Sequence, residues 1–353
     1  MSLHVAMSGW LLGQPSGANR RLLALLRAVG PQLAPGERVT VLCRPDFAPP
    51  ALSGIGWQPV AIPTGPTLRR AFVERRTLRA TLRRLDVDVL DHGFLPLPTV
   101  DAPVCLLVHD LRAVDGLTRW PRALARAVLR RACARAAAVV TPSRWTAARL
   151  QQLAPRMPAA VVVPNAVAPP PASQGALPAP LPPHGFVLHV GHVEARKNLA
   201  VLAAALQRLP ATARPELWLA GRDAGALADV RATAGDAIVR ALGVVDDATL
   251  AALYAHARCV AVPSRHEGFG MTALEAFAHG APVIASACAA LPEIVGTHGV
   301  LLPPDDVAAW AAALAATRRD DGCGAARRAH AMAHDWTASA AALLATWRRL
   351  GAR

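Results

Sequence analysis

Short runs of β-branched and apolar residues alternate with longer Ala/Leu/Arg segments along this chain, and the alternation begins twice. The first series reads LHVAM (3–7), RVTVLC (38–43), VDVLDHG (87–93), PVCLLVHD (103–110), AAVVTPS (137–143) and AAVVVPN (159–165), with helical patterns at 68–85, 119–137 and 144–153. The second reads FVLHVGH (186–192), ELWLAGR (216–222), AIVRALGVV (237–245), CVAVPS (259–264), APVIAS (281–286) and GVLLPP (299–304), with helical patterns at 198–208, 247–257, 272–279 and 306–319. Strand runs apolar almost throughout belong to parallel sheets covered by helices on both faces. Between the two series, AVAPPPASQGALPAPLPPHG (166–185) has no periodicity and reads as a linker. At 353 residues the chain exceeds one ordinary core, and two α/β domains of roughly 150–180 residues are expected. Ligands of doubly wound sheets sit beyond the carboxyl ends of the strands, so a cleft between the domains is the expected site.

Composition narrows the function classes. No uncharged apolar run reaches the ~20 residues of a membrane-spanning helix, and the start MSLHVAMSGWLL reads as a buried strand rather than a signal peptide. The six cysteines are scattered without a C-x-x-C pair, which argues against a zinc site or disulfide framework and fits a cytoplasmic protein. The formal charge is +14, almost entirely from arginine, much of it in 68–85 and 119–137. Nucleic acid is the weakest partner reading, because no helix-turn-helix, RNA-binding aromatic pair or zinc knuckle accompanies the charge. A solvated helix face explains any one cluster, and a peripheral contact with anionic membrane headgroups stays open.

Four stretches carry candidate chemistry. In HEGFGMTALEAFAHGAPVIAS (266–286), Glu267 lies on a glycine-flanked loop at the end of a strand, and Glu275 follows after seven intervening residues. Thr272-Ala-Leu-Glu275 matches a capping box, so Thr272 is the expected N-cap and Glu275 the residue reaching back. The amides opening that helix form an anion-binding end. In GHVEARKN (191–198), Arg196 and Lys197 adjoin just before a helix, where a planar fork and a point charge could clamp a diphosphate; a solvated pair is the plain alternative. Lys197 is the only lysine of the chain. In VHDL (108–111), His109 ends an apolar strand and could carry a proton or hold a sugar hydroxyl, or simply bond backbone; His92 stands likewise on the strand before. In GWLLGQPSGANR (9–20), G-x-G-x-x-G is absent and a nicotinamide site is unsupported; Gly17 could serve only a backbone turn.

Taken in order, these segments resemble the nucleotide-sugar glycosyltransferases of family 4, also called group 1, in their bacterial polysaccharide, mannosyltransferase-like branch. The likeness covers nearly the whole chain and is strongest over 186–305. It implies an α/β GT-B fold: two Rossmann-like doubly wound domains facing across a cleft. They would be an acceptor-binding domain over 1–168, a linker at 169–184, a nucleotide-sugar-binding domain over 185–334, and a last helix in 335–353 crossing back to the first domain. It implies retaining hexosyl transfer without metal or other cofactor, from a nucleoside-diphosphate sugar, GDP-mannose first. The acceptor would be a glycan or lipid-linked glycan of cell-surface polysaccharide synthesis.

The resemblance also assigns roles. Arg196 and Lys197 would hold the diphosphate, Glu267 would stand by the reacting sugar carbon, and Glu275 would reach the ribose. Backbone of Phe269, Gly270, Met271 and Thr272 would touch sugar and phosphate, with Gly191 and Gly17 admitting the donor closely. His109 would hold a donor-sugar hydroxyl or sit near the reacting centre. The first loop departs from relatives: it reads PSGANRR, and the first strand ends MSGWLL without an acidic residue. Two other classes stand beside this reading, a sugar-nucleotide epimerase and a non-catalytic basic scaffold.

Overall fold

The computed structural model describes residues 2–13, 17–63, 67–115, 121–171 and 175–352. The chain forms two compact units, residues 1–165 with 335–353, and residues 166–334.

The first unit holds a seven-stranded sheet: β1 (His4–Ser8), β2 (Arg38–Cys43), β3 (Ile55–Pro59), β4 (Val89–His92), β5 (Val104–Leu107), β6 (Ala138–Thr141) and β7 (Val161–Val162), in the order β3-β2-β1-β4-β5-β6-β7. Every pairing is parallel. Side chains alternate between two cores, as the pleat requires. Ala6, Leu90, Leu106 and Val139 face one core, with α2 (Thr67–Arg84), α3 (Arg122–Arg135) and α4 (Arg144–Leu153) packed on it. Val5, Met7, Val89, Cys105 and Val140 face the other, covered by α1 (Gly17–Val29) and the last helix, α12 (Trp336–Gly351). The side chain of Asp335 caps α12 by accepting from the amides of Thr337 and Ala338. Trp347 is buried on this face and donates its indole N–H to Asp91 at 2.9 Å.

The second unit holds a six-stranded sheet: β8 (Phe186–Val190), β9 (Glu216–Ala220), β10 (Val239–Gly243), β11 (Cys259–Val262), β12 (Val283–Ser286) and β13 (Val300–Leu302), in the order β10-β9-β8-β11-β12-β13, again all parallel. One face packs on α5 (Leu199–Gln207), α6 (Leu227–Ala234) and α10 (Val307–Ala316). The other packs on α7 (Asp247–His256), α8 (Met271–Ala278), α9 (Leu291–Val295) and α11 (Gly324–Met332). In both sheets the strand order reverses where the first strand of the unit pairs the fourth, β1 with β4 and β8 with β11. That switch point is where a doubly wound sheet opens a crevice for ligand.

One sequence expectation changes here. The segment 166–185 is not a free tether: Ala166 is buried, Val167, Leu177 and Ala179 pack on the second core, and the Gly175 amide donates to the Ala248 carbonyl at 3.1 Å. Residues 172–174 of that segment, residues 119–120 of the expected helical stretch 119–137, and residues 14–16 of the first loop lie outside the described residues.

Candidate active site

The switch point of the second unit places two loops side by side. The chain leaves β8 through Gly191 and makes a single 3-10 turn, Ala195–Lys197, before α5. It leaves β11 through Pro263 and Ser264 and enters α8 after the Gly268-Phe269-Gly270 turn. The Arg265 amide donates to the Arg196 carbonyl at 3.0 Å, stitching one loop to the other. On the other flank of the β8 loop, Gly221 after β9 comes hard against Gly191 because it has no side chain. At its φ of +154°, a Cβ would stand 2.0 Å from the Gly191 carbonyl oxygen.

Four side chains meet between these loops. Lys197 Nζ lies 2.6 Å from Glu267 Oε1, and Ser264 donates its hydroxyl to the same oxygen at 2.7 Å. Arg196 Nη1 stands 3.8 Å from that oxygen, and Arg196 Nη2 pairs with Glu194 at 2.7 Å. Lys197 is 7% exposed. The plain alternative of a solvated basic pair therefore fails for it, because an ammonium so buried needs a charged partner. Burial opposes ionisation of Glu267, yet the Lys197 ammonium, the Arg196 guanidinium and the Ser264 hydroxyl outweigh it and hold the carboxyl at about 2. Glu267 is thus a carboxylate across the working pH range: it can stabilise positive charge or accept a proton, but has none to give. Buried His189 lies beneath the same loop, its Nδ1 3.2 Å from the Ala261 carbonyl; burial and the nearby Lys197 push it down to about 4, so it is neutral.

Helix α8 corrects the capping expectation. Its N-cap is Gly270, at φ +115°, not Thr272. Thr272 is one residue inside the helix and donates its hydroxyl to the Val190 carbonyl at the end of β8, 3.3 Å away. Glu275 accepts from the Tyr254 hydroxyl at 2.8 Å. Glycine suits that cap because its positive φ would strain any residue with a side chain, and a Cβ would stand 3.1 Å from Leu291 Cδ2. Phe269 is buried in the core, while Met271 and Thr272 are partly exposed on the first turn. The opening amides of a helix have no intrahelical acceptor and carry its positive dipole end.

The sequence reading missed Ser264, Glu194 and Asn198. Asn198 adopts a left-handed conformation (φ +55°), gives its side-chain amide to the Pro304 carbonyl at 2.7 Å and accepts from Arg265. Spacing offered a signal for Ser264 alone, three residues before Glu267 in the same loop.

His109 and Gly17 belong to the first unit. Gly17 is the first residue of α1, so it stands in helix rather than in a loop. His109 follows β5 and lines a cavity of about 110 Å³ with Ser8, Asn19, Arg21, Asp91 and Phe94. Burial and the Arg21 guanidinium push its imidazole well down, which leaves it neutral at pH 7. His92, at the end of β4, is fully buried and faces Ser8 and Glu74. Among the described residues, no group of three or more His, Cys, Asp or Glu side chains is arranged to hold a metal ion, and no helix is long and apolar enough to cross a membrane.

Two parallel-sheet, Rossmann-like units of seven and six strands, each with a switch point beside its first strand, define the GT-B class of architecture. Comparison with known proteins agrees. Residues 15–169 match the model "Glycosyltransferase Family 4" and residues 185–320 match "Glycosyl transferases group 1". The chain belongs to this family of glycosyltransferases. It is similar to the O-antigen chain mannosyltransferase B of Escherichia coli, 38% identical over 143 residues, 39% of this chain and 38% of that one. It spans about two fifths of the length of the curated relatives it matches. In fold it is similar to a sucrose-phosphate synthase from Thermosynechococcus elongatus (TM-score 0.78, 22% identity, 99% of both chains). It is also similar to Anabaena HepE, solved in complex with UDP and glucose (TM-score 0.68, 18% identity, 97% of this chain and 98% of that one).

Proposed function

We propose that the chain transfers a hexosyl group, mannose first, from a nucleoside-diphosphate sugar to a hydroxyl of a glycan or lipid-linked glycan, with retention at the anomeric carbon. The observation that carries this reading is the Lys197–Glu267 pair, 2.6 Å apart and flanked by Arg196 and Ser264 at the carboxyl ends of β8 and β11. A structural ion pair needs no second cation beside it and no helix N-terminus after it. A diphosphate leaving group needs both, since negative charge grows on its bridging oxygen as the glycosidic bond breaks. Arg196 and Lys197 would take that charge. Glu267, freed in part from Lys197, would face the positive charge developing at the sugar ring. Because it stays ionised, it would act by field or as a nucleophile, never as the acid. Same-face attack with the departing phosphate accepting the acceptor proton accords with that role. Glu275, held by Tyr254, would meet the ribose. GDP-mannose as donor and polysaccharide synthesis as setting draw their support from the resemblance to the O-antigen mannosyltransferase.

The test is thermal-shift screening against GDP, UDP, TDP and ADP sugars, followed by turnover with the best binder. Bound nucleotide should raise the unfolding temperature. Lys197→Ala should abolish most of that rise. Glu267→Ala should keep nucleotide binding and lose at least ~10²-fold in kcat. Full activity in Glu267→Ala, or unaltered nucleotide affinity in Lys197→Ala, overturns the reading.

A further inference from the structure

Helix α9 is only five residues long, Leu291–Val295. A helix so short has no stability of its own in water and persists only where its surroundings fix it. Its two ends show what does so. At the start, the Ala290 amide donates to the Glu267 carbonyl at 3.2 Å. At the finish, the Ile294 carbonyl has run out of helix to accept from, and His330 Nε2, on α11, stands 2.7 Å away. A carbonyl only accepts, so His330 Nε2 carries the hydrogen. Between the ends, the buried side chains of Leu291 and Ile294 meet Gly270, where the Glu267 loop turns into α8. A Cβ on Gly270 would stand 3.1 Å from Leu291 Cδ2 and 3.8 Å from Ile294 Cβ.

The turn that leads into α9 is tied to the same loop. Cys288 Sγ lies 3.3 Å from the Ser264 carbonyl oxygen and 3.5 Å from that of Arg265. Ala289 stands at φ +51°, a left-handed conformation that alanine keeps only where its neighbours hold it. The His330 ring is fixed in turn. It stacks on His298 (centroids 4.2 Å, 26°) and meets Phe277 edge-on (5.6 Å, 79°). Residues 288–294 thus run from α11 on one side to the backbone of residues 264–270 on the other.

We infer that α9 is a strut that sets where Glu267 stands, and that His330 is a positioning residue for the transfer step, acting through the Ile294 carbonyl rather than on substrate. The inference rests on the glycosyl-transfer reading only for the task given to Glu267.

Amide hydrogen exchange reads the strut without any ligand. In the wild type the Ala290 amide should be protected, although it opens a helix, and nitrogen NMR should show His330 with hydrogen on Nε2. His330→Leu removes the donor and should speed exchange at Ala290 about tenfold, while the amides of β8 keep their rates. His330→Gln puts an amide N–H at the same reach and should restore most of the protection. Turnover reads Glu267. With GDP-mannose hydrolysed by water, His330→Leu should lower kcat about tenfold. GDP affinity should stay within about twofold, since Arg196 and Lys197 stand on the loop after β8. His330→Gln should recover most of that kcat. In a Glu267→Ala background, His330→Leu should cost nothing more.

An unprotected Ala290 amide in the wild type, or a His330 with hydrogen on Nδ1 alone, overturns the inference. So does a His330→Gln no better than His330→Leu, exchange that speeds alike in β8, or a full tenfold loss on top of Glu267→Ala. Should His330→Leu fail to fold, the wild-type exchange and spectrum decide, together with His330→Gln. A wild type that neither binds GDP nor hydrolyses GDP-mannose would reject the proposed function instead, and the strut would still stand or fall by the exchange rates.

Discussion

Glu267 and Lys197 hold one another at the site, and that mutual grip sets how the site responds to substitution and to acid. The folded carboxyl titrates at about 2, below its ordinary 4.5. A depressed carboxyl contributes stability that is fully present above the unfolded value and is lost as pH falls through the folded one. Glu267→Gln removes this contribution and leaves Lys197 buried without its partner. At pH 7 it should cost about 3 kcal/mol. Urea unfolding from pH 7 down to pH 2 should show the gap between wild type and variant constant above about 4.5 and closing below it. A gap independent of pH would mean that the pair does not ionise as described. This scale was only half legible in the sequence. A single lysine in an arginine-rich chain marked Lys197 before any fold was known. Its counter-ion lies seventy residues on, and only the adjacency of β8 and β11 joins them. Thr272 and Glu275 had the right spacing for a capping box and were misread, because the turn before them placed Gly270 at the cap and Tyr254 against the carboxylate.

At the scale of elements, buried strands were readable and the rim of the fold was not. RVTVLC and CVAVPS are apolar because helices cover both their faces, and β2 and β11 fall on them. The edge strand β3, IGWQP, was missed: it is partly exposed and carries glycine and proline, which strand patterns exclude but edges tolerate. Helices α6 and α11 were missed as well. The first is short, and the second buries an arginine, Arg327, by pairing it with Asp321. Two elements carry predictions. In α12, Trp347 is fully buried and its N–H satisfies Asp91, whose carboxyl burial pushes up to about 6. Trp347→Ala should cost about 3–5 kcal/mol and lower the denaturant midpoint of the first unit, whereas truncating exposed Met332 should cost little. In the loop after β9, Gly221→Ala drives a Cβ into the Gly191 carbonyl. The β8 loop that carries Lys197 must then move, so nucleotide affinity should fall at least tenfold.

At the scale of the molecule the sequence placed its charge in two helical stretches but not on one common face. Helices α2 and α3 follow different strands, yet both cover the same face of the first sheet. Each shows five exposed arginines, and the one acidic residue on either, Glu74, is buried. Phe72 (66% exposed) and Leu124 (51% exposed) stand among them. Arginines alone would mark a solvated face, but large apolar side chains left in water beside them add a second term that a headgroup region satisfies and solvent does not. Near an anionic bilayer each arginine contributes about 1 kcal/mol, screened within a Debye length, and the apolar pair adds a part that salt does not screen. The chain should therefore sediment with phosphatidylglycerol vesicles and not with phosphatidylcholine vesicles, and raising the ionic strength to about 0.5 M should release most of it. Phe72→Ser with Leu124→Ser should weaken the bound fraction at every salt concentration and leave the steepness of its salt dependence unchanged. Equal binding to both lipids, or a double variant that binds as the wild type does, would return this face to the class of ordinary solvated helices.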